Sequence, residues 1–277
     1  MTEHVQIATA AGRFDALSAG SPEDSPVLLL HGFPEASTAW SHQVAELGRS
    51  GWHAVAPDQR GYSPDARFDD VADYRMDDLV GDVLAIADSL GWSRFDLVGH
   101  GFGAAVAWHT AADHADRVRA LVAVAEPHPG ALAAAIRDDE DQHLRSQYLS
   151  SLKERSAEKK LLADDAAALR QIFERRPPLS HIDDYVTRLS EPGALTAALN
   201  WYRATRWTVV PDAVEVPTMF VWGTEDQVIG STAALSCEKW VTGAYRFEML
   251  DDVSHWVPEE APDALTALMV DHLRPGH

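Results

Sequence analysis

An apolar run that ends in a glycine turn and restarts as a small-residue helix constrains this chain more than anything else in it. Residues 95–104 read FDLVGHGFGA, and the helix continues as AVAWHTAA. A strand–turn–helix of this kind holds its central residue in a strained conformation and aims it at a substrate. Gly99 and Gly103 flank the centre, as tight packing of the turn demands. The centre itself is Gly101, where such a turn carries the Ser, Asp or Cys that attacks. Whatever the chain does has to be done without a side chain at that point.

Around this turn, short apolar or β-branched runs alternate with amphipathic stretches. The runs HVQIATA, FDALSAG, PVLLLHG, HAVAPD, FDLVGH and VRALVAVAE read as strands. Between them, MDDLVGDVLAIADSLG places Leu79, Val80, Val83, Leu84, Ile86 and Leu90 at helical spacing. Continuous apolar strands such as VLLL and ALVAVA suit a parallel sheet buried on both faces, with the N-terminal pair as an antiparallel edge. From Pro129 to Ala213 the pattern becomes helical, strand-poor and densely charged. After that the alternation returns with PTMFVWG, the helix STAALSCEKWV, the strand YRFEML and a last helix APDALTALMVDHLR. An insertion of that size between the sixth and seventh strands is too long for a loop. The expectation is an α/β fold with a mostly parallel eight-stranded sheet flanked by helices. Residues 1–128 and 214–277 form its core, and 129–213 form a helical cap over the strands' carboxyl ends, where open α/β sheets bind ligands.

Composition narrows the function classes. The formal net charge of −20 argues against nucleic acid and anionic membrane surfaces as partners. The single cysteine, Cys237, excludes an internal disulfide and a Cys-based metal site, and fits a reducing, cytoplasmic setting. The first residues, MTEHVQIATAAG, lack the basic and apolar regions of a signal peptide. There is no HExxH spacing, and the glycines of GHGFGA lie too close together for a dinucleotide fingerprint. No metal and no cofactor are implied. The expected partner is a small apolar molecule, bound by a monomer or homodimer.

Two further segments complete a constellation. His255 follows the last strand in DDVSHWVPEEAP, and Asp226 follows the strand before it in VWGTEDQVIG. Elbow, acid, then His is the chain order of an α/β-hydrolase triad. The acid would orient the imidazole and stabilise its protonated form, so that the ring can serve as a general base; Glu225 reads as the solvated neighbour. HGFPE, His31 to Glu35, ends the third strand where an oxyanion loop belongs. Backbone N–H groups of Phe33 and Phe102 would hold negative charge there, with Pro34 and His100 assigned to the same substrate-binding region and His31 bracing the loop.

HGFPE, APDQRGYSP, the elbow frame, NWYRA, WGTED and SHWVPEEAP, taken in order along nearly the whole chain, resemble the epoxide hydrolase family. That resemblance implies an elbow carboxylate that attacks the epoxide, two cap tyrosines that hold and protonate its oxygen, and a His–acid pair that activates water. Tyr202 in NWYRA matches one tyrosine, Tyr148 in RSQYLSSL is the second by a looser match, and Tyr185 is the weaker candidate. The chain departs from the family at Gly101 and at Phe102, where Asp and Trp are usual. It departs again at Glu126 in VAVAEPHPG, where a small apolar residue is usual. A carboxylate stands near the place where one is missing. It is either a structural partner of a nearby donor, or a relocated acid or base, or a second anion facing His255.

Three functions stay open from the residues. One is an enzyme on this scaffold that uses His255 and Asp226 without a covalent intermediate, for direct hydration, ring opening or cyclisation. Another is an ordinary epoxide hydrolase inactivated by an Asp-to-Gly change at position 101. The last is a pseudo-hydrolase that only binds an apolar ligand.

Overall fold

In the computed structural model, residues 2–174, 176–206 and 209–274 are described. β1 (Glu3–Thr9) and β2 (Gly12–Ala19) form an antiparallel hairpin. There follow β3 (Ser25–Leu30), α1 (Ser41–Arg49), β4 (Trp52–Pro57), α2 (Met76–Ser89), β5 (Phe95–His100), α3 (Phe102–Asp113) and β6 (Val118–Val124). The insertion carries α4 (Pro129–Asp138), α5 (Glu140–Arg145), α6 (Tyr148–Lys153), α7 (Ala157–Ile172), whose backbone is non-helical at Ala163, Asp164, Asp165 and Ala166, α8 (Leu179–Leu189) and α9 (Ala194–Ala204). The chain ends with β7 (Thr218–Gly223), α10 (Ser231–Leu235), β8 (Tyr245–Leu250), α11 (Val257–Glu260) and α12 (Pro262–Leu273). The described strands make one eight-stranded sheet in the order β1-β2-β4-β3-β5-β6-β7-β8. Only the β1–β2 and β2–β4 pairings are antiparallel.

The apolar runs are continuous because both faces of the sheet are covered. Strand side chains alternate between faces. Leu28, Leu30, Leu97 and Phe220 join the cluster on the side of α2 and α3. Val27, Leu29, Val98 and Val221 join a second cluster with Val44 and Leu47 of α1 and Leu265, Met269 and Leu273 of α12. The helical spacing of α2 is seen in the burial of Leu79, Val80, Val83 and Ile86, while Leu84 and Leu90 are only partly covered. STAALSCEKWV departs from one continuous helix: α10 stops at Leu235 and a 3-10 turn, Cys237–Trp240, follows. No helix of the described residues is long and apolar enough to cross a membrane.

Helix α3 shows why its first turn is built of small residues. It is buried from Phe102 through Ala111. A Cβ at Gly103 would lie 2.4 Å from the Leu30 carbonyl oxygen and 2.5 Å from that of His31, and one at Gly99 would lie 2.5 Å from the Gly103 oxygen. Backbone has no flexible end that could give way. Gly103→Ala is therefore expected to destabilise by about 3 kcal/mol, the upper end of the overpacking range, read as a lowered denaturation midpoint. An unchanged midpoint would mean that the helix can stand off from β3.

Candidate active site

The turn between β5 and α3 is centred on a glycine in a left-handed region of backbone space. Gly101 has φ +51° and ψ −127°, its N–H bonds the Val124 carbonyl at 3.1 Å, and its own carbonyl accepts from Ala104 at 2.8 Å. Residues with a Cβ rarely take a positive φ, and glycine takes it freely. Space is not the obstacle: a Cβ at Gly101 would meet only His255 Nε2 at 3.5 Å and Gly32 Cα at 3.7 Å.

His255 is placed from three sides. Its Nδ1 donates to Asp226 Oδ2 at 3.0 Å. The other Asp226 oxygen accepts the N–H groups of Val228 at 2.7 Å and Ile229 at 2.9 Å, so the carboxylate cannot swing away. The carbonyl of His255 accepts from His100 Nε2 at 2.8 Å. With Nδ1 committed, Nε2 is left facing Gly101. Glu225 is exposed beside this pair, as the sequence suggests.

His100 and Pro34 require correction. Neither lines the cavity above Gly101. His100 is buried and pairs through Nδ1 with Glu35 Oε2 at 2.7 Å, while the same oxygen accepts from the Gly32 N–H at 3.0 Å. Both ring nitrogens are thus occupied by protein. Burial opposes charge on both partners. The Glu35 charge overcomes it and holds His100 above its usual value, and His100 in turn holds Glu35 below its own. Glu35 is the residue the sequence reading missed: its partner lies 65 positions away, with no local pattern to announce it. Pro34 belongs to the turn closed by the Glu35 N–H to the Gly32 carbonyl at 3.2 Å. His31 braces that turn, accepting from the Gln59 N–H at 3.2 Å.

A cavity of about 380 Å³ opens over Gly101 and His255. Phe33, Phe102, Leu132, Leu149, Leu152 and Trp256 form much of its apolar wall, and Tyr148, Tyr202 and Glu126 bring hydroxyl and carboxyl groups to it. Tyr202 is set by two edge-on rings, Phe33 at 5.4 Å and Phe102 at 5.2 Å. Tyr148 keeps 39% of its surface accessible and lines the cavity. Burial, then the charges of Glu126 and Asp226, push that phenol well above its ordinary range. Burial, then Tyr148, Tyr62 and Glu126, do the same for Tyr202. Both hydroxyls therefore stay protonated and able to donate. Tyr185 lies elsewhere: its hydroxyl donates to Glu259 Oε1 at 3.0 Å and its ring stacks on Phe173 at 5.5 Å. It does not line the cavity.

The chain leaves β6 through Ala125 at φ +55°, a left-handed conformation uncommon for a residue with a Cβ. Glu126 follows, 8% exposed, on the cavity wall. Its carboxyl has no hydrogen-bond partner among the described residues, so the reading of Glu126 as one half of a structural pair is not met. Burial, reinforced by the nearby Asp226 charge, raises its pKa well above the carboxylate range. Gln142, not foreseen, holds the wall together by accepting from the Gly230 N–H at 2.8 Å and donating to the Val228 carbonyl at 3.0 Å. The described residues contain no cluster suited to a metal ion.

Comparison with known proteins places the fold. Residues 25–262 match the family model of the alpha/beta hydrolase fold. The chain belongs to the α/β-hydrolase fold family. It is 31% identical to epoxide hydrolase A of Mycobacterium tuberculosis over 94% of each chain, and 31% identical to the AB hydrolase superfamily protein YfhM of Bacillus subtilis over 93% of each. Among solved structures, an epoxide hydrolase from metagenomes of hot environments superposes with a TM-score of 0.89 at 26% identity, covering 99% of both chains. This member of the α/β-hydrolase family is thus epoxide hydrolase-like in sequence and in fold.

A pKa raised on folding means that the folded state holds the Glu126 proton at pH values where the unfolded chain has lost it, so stability falls as pH rises through that window. Glu126→Gln removes the burden. Its Tm should match that of the unmodified protein near about pH 4 and exceed it by a growing margin toward about pH 8. Equal Tm values across the range would place Glu126 in contact with solvent or a donor.

Proposed function

We propose that the protein turns over a small to medium apolar epoxide by direct attack of water, without a covalent intermediate. The observation that carries this reading is His255 Nε2 facing an elbow centre that is glycine, with Nδ1 fixed 3.0 Å from Asp226. In relatives of this type an elbow carboxylate would attack, and Gly101 cannot. Residues 129–213 act as the cap that encloses the reaction, and Tyr148 and Tyr202 reach the substrate from it.

His255 Nε2 takes a proton from water as the water oxygen bonds to an epoxide carbon and the ring C–O bond breaks. Asp226 stabilises the imidazolium. The electron pair released on the ring oxygen is met by the hydroxyls of Tyr148 and Tyr202. Its proton comes through them from the Glu126 carboxyl, which burial keeps in the acid form. His255 then returns its proton, through solvent, to Glu126, and the diol leaves. The Phe33 and Phe102 N–H groups stabilise charge on the attacking side.

The test is a panel of epoxides in heavy-oxygen water, with products weighed by mass. Labelled diol at the first turnover is expected, and unlabelled or rearranged product would end the direct-attack reading. His255→Ala should lower the rate by about 10²-fold or more, a general base's contribution, while ligand binding persists. Glu126→Gln should remove the fall in rate at alkaline pH. Gly101→Asp should form a mass-detectable alkyl-enzyme on the same epoxides; no adduct and no turnover in that variant would refute the family reading of the pocket.

A further inference from the structure

We propose that the space beside Gly101 is a binding site for a small monoanionic nucleophile, such as azide or formate, which the protein adds to an epoxide carbon. This rests on the epoxide reading above and extends it from water to a second class of co-substrate.

A Cβ at Gly101 would meet, beyond its chain neighbours, nothing closer than His255 Nε2 at 3.5 Å and Gly32 Cα at 3.7 Å. That volume is continuous with the cavity, since both Gly101 and His255 line it. Two sources of positive potential border it. One is the Phe33 N–H, which has no acceptor among the described residues. The other is the first turn of α3, a helix of 12 residues starting at Phe102, whose N–H groups carry the positive end of the helix dipole. Opposing charges are few at this point. Asp226 lies behind the imidazole with its oxygens held by His255, Val228 and Ile229. Glu126 faces the same cavity, nine-tenths buried and unpartnered, in an environment that favours its neutral form. A carboxyl group here that is detached from the chain would occupy the place of one attached to it.

The chemistry balances without an added oxidant or reductant. The anion's electron pair forms a bond to the epoxide carbon, the C–O bond breaks, and the ring oxygen takes a proton relayed through Tyr148 and Tyr202 from Glu126, which is replenished from solvent. Azide and epoxide give an azido alcohol. Formate gives a hydroxyalkyl formate; water activated by His255 then attacks the formyl carbon, releasing diol and regenerating formate. The oxygen that formate placed on carbon stays with the diol.

The experiment incubates the unmodified protein with one epoxide in buffer, in buffer with sodium azide, and in buffer with oxygen-labelled sodium formate, and identifies products by mass. Azido alcohol should form about 10²-fold faster than in protein-free azide solution, as expected when two reactants are held together, and the rate should saturate with azide. Label should pass from formate into the diol, and formate should compete with azide. In Gly101→Asp the attached carboxylate fills the site, so azide incorporation should disappear. Azide incorporation no faster than in protein-free solution, alongside continuing diol formation, overturns this proposal and leaves direct hydration standing. Azido alcohol without diol in plain buffer supports the site and overturns direct hydration. Neither product overturns both. Undiminished azide incorporation in Gly101→Asp would place the anion elsewhere and overturn the assignment.

Discussion

The buried pair between His100 and Glu35 is the interaction on which the site's geometry depends. One imidazole joins three segments that are far apart in sequence: the last residue of β5, the turn after β3 through Glu35 and Gly32, and the backbone of His255. The Gly32 N–H adds a hydrogen bond to the same Glu35 oxygen, while the other oxygen is buried without a partner, so losing His100 would leave a charge stranded in the interior. The turn at Gly101, the turn after β3 and His255 are held in register by the same ring, which is why a residue next to Gly101 need not touch a ligand.

A glycine at the centre of the turn leaves the architecture around it in place. The positive φ at Gly101 and the tight contacts at Gly99 and Gly103 persist. So do the fixed Asp226 and the protonated tyrosines. The second carboxyl, Glu126, enters the cavity behind a residue in a left-handed conformation. The hydration and anion addition we propose would draw on that common inventory: donors for the oxygen that leaves carbon, and positive potential where the attacking group approaches.

Much of this was legible in the residues. The alternation of apolar runs marked the strands and the two-sided sheet, and the small residues of GHGFGA marked the close contact of α3 with β3. Chain order put Asp226 and His255 after successive strands, and the structure brings them within 3.0 Å. What could not be read depends on contacts between distant positions. His100 looks like a site residue because it adjoins Gly101, and only the distant Glu35 and the His255 carbonyl show that both of its nitrogens are spent. Tyr148 and Tyr185 lie in equally charged helical stretches; Glu259 captures the hydroxyl of one and leaves the other to the cavity. The break after Leu235 has no glycine or proline to signal it.

The apolar cluster on one face of the sheet does not stop at the insertion. Phe102 and Trp108 of α3 belong to the same continuous body as Leu152, Leu169, Phe173, Ile182 and Trp201 of the inserted helices. Packed interiors resist gradual deformation. Swinging those helices away as a unit would expose that whole oily seam, so the inserted helices stay docked on the sheet while molecules exchange past the cavity rim, where Tyr148, Gln171 and Glu174 are exposed. Substitutions far from Gly101 that loosen this seam would therefore be felt at the cavity wall, because seam and wall share Phe102 and Leu152.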